Sequence, residues 1–196
     1  MISKDIFTIW LNDKQGIPED YQKCIESQKL PGYTHRILTL EDCPKGIRYL
    51  DECLEAKKWV KASDYLRAWW ILNHGGIYLD ADCEVLKPLD IFLDNEMFAG
   101  EEVNRFICNA VFGAIPGHPI LKEYCRRLED NFRGSGDMVF EPGILMWTEC
   151  LTWRPVGNIK IYPPEYFYPY HHINRTENFT ENTHILHKYL KSWAKV

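Results

Sequence analysis

The sequence contains no long apolar segment and no excess of basic residues. None of its hydrophobic runs approaches the roughly 18–20 residues that a transmembrane helix needs. The apolar run near the N-terminus is too short and too charged for a signal peptide. Lysine and arginine number 23 against 28 aspartates and glutamates, giving a formal net charge of −5. A nucleic-acid partner, which requires clustered positive charge, is therefore not expected.

The cysteines are too scattered to build a framework. The seven thiols are odd in number and never occur in CxxC spacing. Neither a disulfide scaffold nor a zinc site is expected, and reduced thiols favour a cytoplasmic location. What the chain does have is 45% hydrophobic and 14% aromatic residues. That content excludes intrinsic disorder and supports the core of a single domain spanning residues 1–196.

Strand patterns alternate with helical patterns along the chain. Strands are predicted at Ile6–Leu11, His35–Leu40, Ile77–Leu79, Met97–Glu101, Ile107–Ile115 and Ile159–Tyr162. Helices are predicted after Pro18, over Lys45–Asn73 with a break and an N-cap at Ser63 and a stop at Gly75, and over Pro119–Asn131 and Glu141–Leu151; a short element is expected at His184–Trp193. The alternation predicts an α/β domain with a mostly parallel central sheet flanked by helices.

Two aspartates, Asp80 and Asp82, directly follow the predicted strand Ile77–Leu79. Carboxylates at i and i+2 of an extended segment project from the same face. Both can reach one hard divalent cation, which takes oxygen ligands. The spacing alone is common in proteins, and a pair of solvated turn carboxylates is the alternative interpretation.

The chain geometry links this acidic pair to two further charged residues. Ten helical steps from Asp64 to the end of its helix descend about 15 Å. Four extended steps along the next strand to Asp80 climb back about 13 Å. Asp64 and Arg67, which are i, i+3 neighbours, are therefore predicted to meet Asp80 and Asp82 at the carboxyl end of the strand. Open α/β sheets bind ligands at that edge. The alternative for Asp64 and Arg67 is an intrahelical surface ion pair.

The block SDYLRAWWILNHGGIYLDADCEVLKPLD resembles the central signature of glycosyltransferase family 32, the DXD-containing sugar transferases. Further blocks match in the same order along the chain: FTIWL, PGYTHRILTLED, ICNAVFGAIPGHPIL, EPG at Glu141–Gly143, YPPEYFYPY and HKYLKSW. The family includes capsular polysaccharide synthesis enzymes, initiating mannosyltransferases and, more distantly, glucosylating bacterial toxins.

The resemblance implies a GT-A fold and a UDP- or GDP-sugar donor. It also implies a divalent cation, Mn²⁺ or Mg²⁺, and hexose transfer with retention at the anomeric carbon. The implied acceptor is a glycan or lipid-linked saccharide in polysaccharide biosynthesis. The family analogy allows peripheral association with the inner face of the cytoplasmic membrane.

Roles for individual residues follow from the resemblance. Asp80 and Asp82 match the DXD pair that holds the cation, and His187 is expected as its third protein ligand. Asp64 and Arg67 match residues that bind the hydroxyls of the donor sugar.

Other positions match residues near the donor, each with an alternative. Trp10 matches an aromatic that stacks on the base, and Tyr78 one near the diphosphate or sugar, but both residue types are equally at home in a core. Asn109 matches a site near the transferred sugar, or it satisfies a strand end. The motif HKYLKSW places three further donor contacts at Lys191, Ser192 and Trp193.

That tail motif departs from the HHWxxSW of relatives, because Lys188 and Tyr189 replace its second histidine and its tryptophan. No catalytic nucleophile is predicted, since Asp137 and Glu141 are supported only by being acidic.

Two other function classes remain as alternatives at this stage. An aspartyl-phosphate phosphohydrolase also uses Asp-x-Asp, but it carries the triplet at the end of its first strand, and Ile6–Leu11 has no acid. A non-catalytic module that binds nucleotide sugars shares the same motif, and only an assay of binding and turnover separates it from an enzyme.

Overall fold

A computed structural model describes residues 1–12, 16–102, 105–134, 143–153, 157–171 and 176–190. Its strands are β1 (Asp5–Ile9), β2 (Thr34–Leu38), β3 (Gly76–Leu79), β4 (Cys83–Val85), β5 (Met97–Glu101), β6 (Ile107–Ala114), β7 (Lys160–Tyr162), β8 (Tyr170–His171), β9 (Thr176–Glu177) and β10 (Ile185–His187). Its α-helices are α1 (Glu19–Ser27), α2 (Arg48–Glu55), α3 (Trp59–His74), α4 (Pro119–Asp130) and α5 (Gly143–Thr152).

The central sheet has six strands in the order β2-β1-β3-β6-β5-β7. β1 runs parallel to β2 and to β3, and β5 runs parallel to β7. β6 is antiparallel to both of its neighbours, β3 and β5. Five of the six strands therefore point the same way, and the predicted mostly parallel α/β sheet is confirmed.

The middle of the sheet is covered on both faces. Along β3 the side chains alternate, so that Tyr78 packs in the cluster formed with helices α2–α5, whereas Ile77 and Leu79 pack in a second cluster with Phe92 and Phe167. All of β6 is buried, as expected for a strand in the interior of such a sheet. This burial leaves the carboxyl ends of the strands as the edge at which polar side chains collect.

The helical stretch breaks earlier than the sequence predicts. α2 ends at Glu55 and α3 begins at Trp59, after Lys57 adopts a left-handed φ of 54°. Ser63 lies inside α3, so its prediction as an N-cap is wrong. Its carbonyl and hydroxyl oxygens instead accept hydrogen bonds from Arg67, one turn further along.

The predicted reversal at Gly75-Gly76 is confirmed. Both glycines have positive φ, 72° and 98°, which side chains other than hydrogen rarely tolerate. A Cβ on Gly75 would lie 2.8 Å from Pro116 Cδ, and one on Gly76 would lie 2.6 Å from Asp5 O. The sharp turn from α3 into β3 therefore requires glycine both for its backbone angles and for space.

Sequence patterns missed the short strand β4, which pairs antiparallel with β10 and places Cys83 opposite His187. The predicted element His184–Trp193 is this strand β10, Ile185–His187, within the part of it that the structure describes. The pairing brings the tail of the chain across the acidic pair. No α-helix among the described residues is both long enough and apolar enough to cross a bilayer.

Candidate functional site

The buried Arg67 guanidinium is the centre of a polar cluster at the carboxyl end of β3. Its Nη1 lies 3.1 Å from Asp80 Oδ1, and its Nη2 lies 3.2 Å from Asp64 Oδ1. Nη1 also donates to the backbone oxygen of Asn109 at 2.9 Å. The guanidinium lies over the Tyr78 ring, 4.7 Å from its centroid. The convergence expected from the helix and strand lengths is therefore present for Asp64, Arg67 and Asp80, whereas Asp82 contacts His187 and Leu190.

Asp64 is fixed from three sides. Asn109 Nδ2 donates to Asp64 Oδ1 at 3.0 Å, the same oxygen that Arg67 contacts. Gly143, the first residue of α5, lies against the other carboxylate oxygen, and a Cβ there would come within 2.8 Å of Asp64 Oδ2. The site thus brings Asn109 beside Asp64 and adds Gly143, which sequence reasoning did not assign to the site.

The two aspartates of the DXD pair have different surroundings. Asp80 Oδ1 accepts a hydrogen bond from Tyr78 Oη at 2.6 Å as well as the contact from Arg67. Asp82 Oδ1 lies 3.3 Å from His187 Nε2, and Asp82 Oδ2 accepts from the backbone N–H of Leu190 at 2.9 Å. One aspartate therefore faces the guanidinium, and the other faces the tail segment that follows β10.

The pKa shifts of the site residues follow from burial and from these contacts. Burial raises the pKa of Asp80, and Arg67 opposes that rise. Burial also disfavours the charged form of Asp82, but the hydrogen bond and charge of His187, together with the Leu190 N–H, hold the pKa of Asp82 below its ordinary value. The pKa of His187 is raised, because Asp82 outweighs the effect of burial. Arg67 is thus the cationic partner of Asp80, and the His187 imidazole is the partner of Asp82.

Asp82 and His187 have the spacing of two ligands of one divalent cation, whereas Asp80 Oδ1 contacts Arg67 and Tyr78. Two cis ligands of an octahedral ion, each about 2.1 Å from it, lie about 3 Å apart, close to the 3.3 Å between Asp82 Oδ1 and His187 Nε2. The other ring nitrogen of His187, Nδ1, is also buried and has no hydrogen-bond partner within the described ranges, so no hydrogen bond at Nδ1 fixes the ring. The Cys83 thiol is near this pair, but it is buried, its pKa is raised by that burial, and its sulfur lies 3.8 Å from Ala110 O as a hydrogen-bond donor. We therefore leave it out of the ligand set.

Trp10 lies beside the acidic pair and is half-buried. Its Nε1 donates to Asn12 O at 2.9 Å, and its ring meets Tyr21 edge-on at a centroid distance of 5.2 Å. It packs in a small cluster that also contains Ala81, the residue between the two aspartates, and Leu190. The position suits a stacking surface at the rim and equally a peripheral core residue.

Several predicted residues lie outside the described part of the chain: Lys191, Ser192, Trp193, Asp137 and Glu141.

The sequence did not predict several polar residues that support the site. Tyr189 Oη donates to Glu102 Oε1 at 2.6 Å, and the Tyr189 and His187 rings lie 4.1 Å apart. Gln28, fully buried after α1, donates to the backbone oxygen of Asp80 at 3.0 Å. The only sequence signal for such a network is Thr8, a polar residue inside an otherwise apolar strand.

A family model matches the first half of the chain. Residues 5–102 match the model of the family described as glycosyltransferase sugar-binding region containing DXD motif. That match covers half of the 196-residue chain and includes β1, α3 and the acidic pair.

Curated relatives carry transferase names. A human alpha-1,4-N-acetylglucosaminyltransferase is 27% identical over 66% of this chain and 41% of its own length. An uncharacterized glycosyltransferase of Acanthamoeba polyphaga mimivirus is 25% identical over 99% of this chain and 84% of its own. A mannosyl phosphorylinositol ceramide synthase of Saccharomyces cerevisiae is 24% identical over 78% of this chain and 44% of its own. The chain thus spans less than half the length of the human and yeast relatives.

Solved structures show the same fold. The PaToxG glycosyltransferase superposes with a TM-score of 0.62 at 18% identity, over 76% of this chain and 69% of that one. The architecture is therefore the GT-A fold, and the edge of its sheet carries the acidic pair beside a buried guanidinium. By its family match, its fold and the residues at this edge, the chain belongs to the glycosyltransferases whose sugar-binding region contains the DXD motif.

Proposed function

We propose that this glycosyltransferase is metal-dependent and retaining, and that it moves a hexose from a UDP- or GDP-sugar to a glycan or lipid-linked saccharide. One observation carries the proposed cation site: Arg67 lies 3.1 Å from Asp80, while Asp82 lies 3.3 Å from His187. A positive group is therefore built beneath one aspartate of the pair, and a potential third ligand beside the other.

Asp80, Asp82 and His187 are the residues that would hold the cation, Mn²⁺ or Mg²⁺. When bound, the ion supplies positive charge to the diphosphate leaving group. His187 would serve this role as a neutral imidazole, with its Nε2 3.3 Å from the neighbouring ligand atom Asp82 Oδ1. The backbone N–H of Leu190 orients the carboxylate by its hydrogen bond to Asp82 Oδ2.

Asp64 and Asn109 are proposed to bind the hydroxyls of the donor sugar. Asp64 offers carboxylate oxygens as acceptors, and its position is set by Asn109 and by Arg67. Arg67 itself directs its donors to protein oxygens, including Ser63 O at 3.2 Å. We therefore propose that Arg67 mainly fixes the positions of the Asp64 and Asp80 carboxylates and makes few of the contacts to the sugar.

Retention at the anomeric carbon is proposed to occur by same-face attack of the acceptor hydroxyl, with the leaving phosphate as base. A double displacement needs a carboxylate as nucleophile. Of the carboxylates described at this site, Asp80 and Asp82 are assigned to the cation and Asp64 to the sugar hydroxyls, so we assign none of them as a nucleophile.

The relatives' names support sugar transfer and, for the yeast protein, a glycolipid product. The yeast relative is named for synthesis of a mannosylated inositol-phosphoceramide, and the human relative for transfer of N-acetylglucosamine. We propose a role in polysaccharide biosynthesis in the cytoplasm or at the inner face of the cytoplasmic membrane. A stacking role for Trp10 on the donor base and donor contacts from Lys191, Ser192 and Trp193 belong to the same proposal.

The test is a screen of UDP- and GDP-sugars for Mn²⁺-dependent hydrolysis, followed by transfer assays with the donor identified. Asp82→Asn is expected to abolish turnover while the protein stays folded. Asp90→Asn is the matched control, since Asp90 is an exposed aspartate paired with Lys4, and it is expected to retain full activity. Full turnover in Asp82→Asn would refute the assignment, and donor binding without any turnover in the wild type would favour the non-catalytic module.

A further inference from the structure

The side chain of Gln28 is fully buried and uses all of its hydrogen-bonding capacity. Its Oε1 accepts from Thr8 Oγ1 at 2.5 Å and from His35 Nε2 at 3.1 Å. Its Nε2 donates to Asp80 O at 3.0 Å and to Cys83 O at 2.9 Å. One carboxamide thus connects β1 and β2 to the backbone carbonyls of Asp80 and Cys83, the first and last residues of the turn that contains the acidic pair.

The strand pairing explains why Cys83 O needs this donor. The N–H of Lys188 donates to Asp82 O at 3.1 Å, so the next pair along the ladder, Cys83 opposite His187, is a non-hydrogen-bonded pair. Its backbone groups point away from β10. A buried carbonyl without a partner is costly, and Gln28 supplies that partner.

The end of α1 also holds the rest of the turn. Asp80 O accepts the N–H of Cys83 at 3.0 Å in addition to Gln28. One residue earlier in α1, Ser27 Oγ accepts the N–H of Val85 at 2.9 Å. Ser27 and Gln28 therefore bond the edge of β4 that faces away from β10, in the way that a neighbouring strand would.

We propose that Gln28 is a positioning residue for the cation site. Its carboxamide fixes the backbone of the turn from Asp80 to Cys83, and so sets where the carboxylates of Asp80 and Asp82 meet the ion. The inference rests on the proposed metal-dependent function, and Gln28 acts only through the turn. Loss of comparable supporting contacts typically costs 10–100-fold in metal affinity.

The experiment measures the Mn²⁺ dissociation constant of the full chain by electron paramagnetic resonance of free Mn²⁺, alongside the melting temperature. Gln28→Met keeps the length of the side chain and removes its four hydrogen bonds. Thr8→Val is a milder second variant that leaves both donors of Gln28 in place. Gln22→Met is the matched control on the same helix, because Gln22 is exposed and donates to Ile17 O. Leu50→Ala, a buried residue of α2, controls for loss of stability alone.

We expect the Mn²⁺ dissociation constant to rise by about tenfold or more in Gln28→Met and by less in Thr8→Val. Gln22→Met is expected to match the wild type, and Leu50→Ala to lower the melting temperature without weakening Mn²⁺ binding. An unchanged constant in Gln28→Met, or an equal loss in Leu50→Ala, would overturn the role of Gln28. If Gln28→Met does not fold, Gln28→Glu takes its place, because it keeps the shape of the side chain and replaces the Nε2 donor to Asp80 O and Cys83 O with an oxygen; an unchanged constant in that variant overturns the role. Absence of Mn²⁺ binding in the wild type would overturn the proposed cation site, and this role with it.

Discussion

Replacing Arg67 by methionine tests the electrostatic centre of the site. Methionine keeps much of the length and apolar stem of arginine, but it removes the charge that faces Asp64 and Asp80 at 3.2 and 3.1 Å. Arg67 is 6% exposed, so solvent cannot replace its charge. Removing one partner of a buried charge network costs about 3–5 kcal/mol, a large part of the 5–15 kcal/mol that typically stabilises a domain.

Urea denaturation at neutral pH measures this free energy of unfolding. Arg126→Met is the matched control, because Arg126 also contacts two carboxylates, Glu123 and Asp130, but on the exposed face of α4. Solvent screens that pair, so only a small change is expected. The double variant Arg67→Met/Asp80→Asn is expected to recover part of the loss, since it neutralises a carboxylate left without its partner. Equal losses in Arg67→Met and Arg126→Met, or no recovery in the double variant, would refute the network.

Three further experiments test the packing beside Asp64, the burial of His118 and the burial of the cysteines. Gly143→Ala places a Cβ 2.8 Å from Asp64 Oδ2 and is expected to lower donor turnover by about tenfold, from displacement costing roughly 1.4 kcal/mol; turnover at the wild-type rate would contradict the close packing. His118 is buried with its pKa lowered by desolvation, and its Nε2 donates to Asn158 O, so the unfolded chain binds the proton first and stability should fall as pH drops below about 6.5. His118→Gln should flatten that dependence in urea titrations, and an unchanged slope would count against it. The seven cysteines are buried and free, so Ellman's reagent should react slowly with native protein and with seven thiols after denaturation; fast native labelling would contradict their burial.

Local patterns were enough to predict the six strands of the central sheet and the meeting of α3 with β3. The lengths of α3 and β3 and the two glycines between them are local properties, and together they bring Arg67 to Asp80. The start of α3 was predicted too late because Ser63 has the residue type of an N-cap, while its oxygens accept from Arg67 instead. Whether the Ser63 hydroxyl accepts from a backbone N–H, as in an N-cap, or from Arg67 depends on tertiary contacts.

The contacts that support the site were not predictable, because they join residues far apart in the chain. Gln28 and Cys83 are separated by 55 positions, and Tyr189 and Glu102 by 87. Glutamine and glutamate are common at surfaces, so nothing in the sequence marks these two as buried. The short strand β4 escaped for a related reason, since three residues carry too little periodicity and its partner, β10, lies about a hundred residues later.

The most direct test of the proposed function is the position of the cation itself. Crystals grown with Mn²⁺ and UDP or GDP, measured at the manganese absorption edge, locate the ion by its anomalous scattering. We expect one strong peak at a coordination distance of about 2.0–2.5 Å from a carboxylate oxygen of Asp82 and from His187 Nε2, with the diphosphate on its open side. A peak elsewhere on the chain, or nucleotide bound at this edge with no ion beside Asp82, would contradict the account.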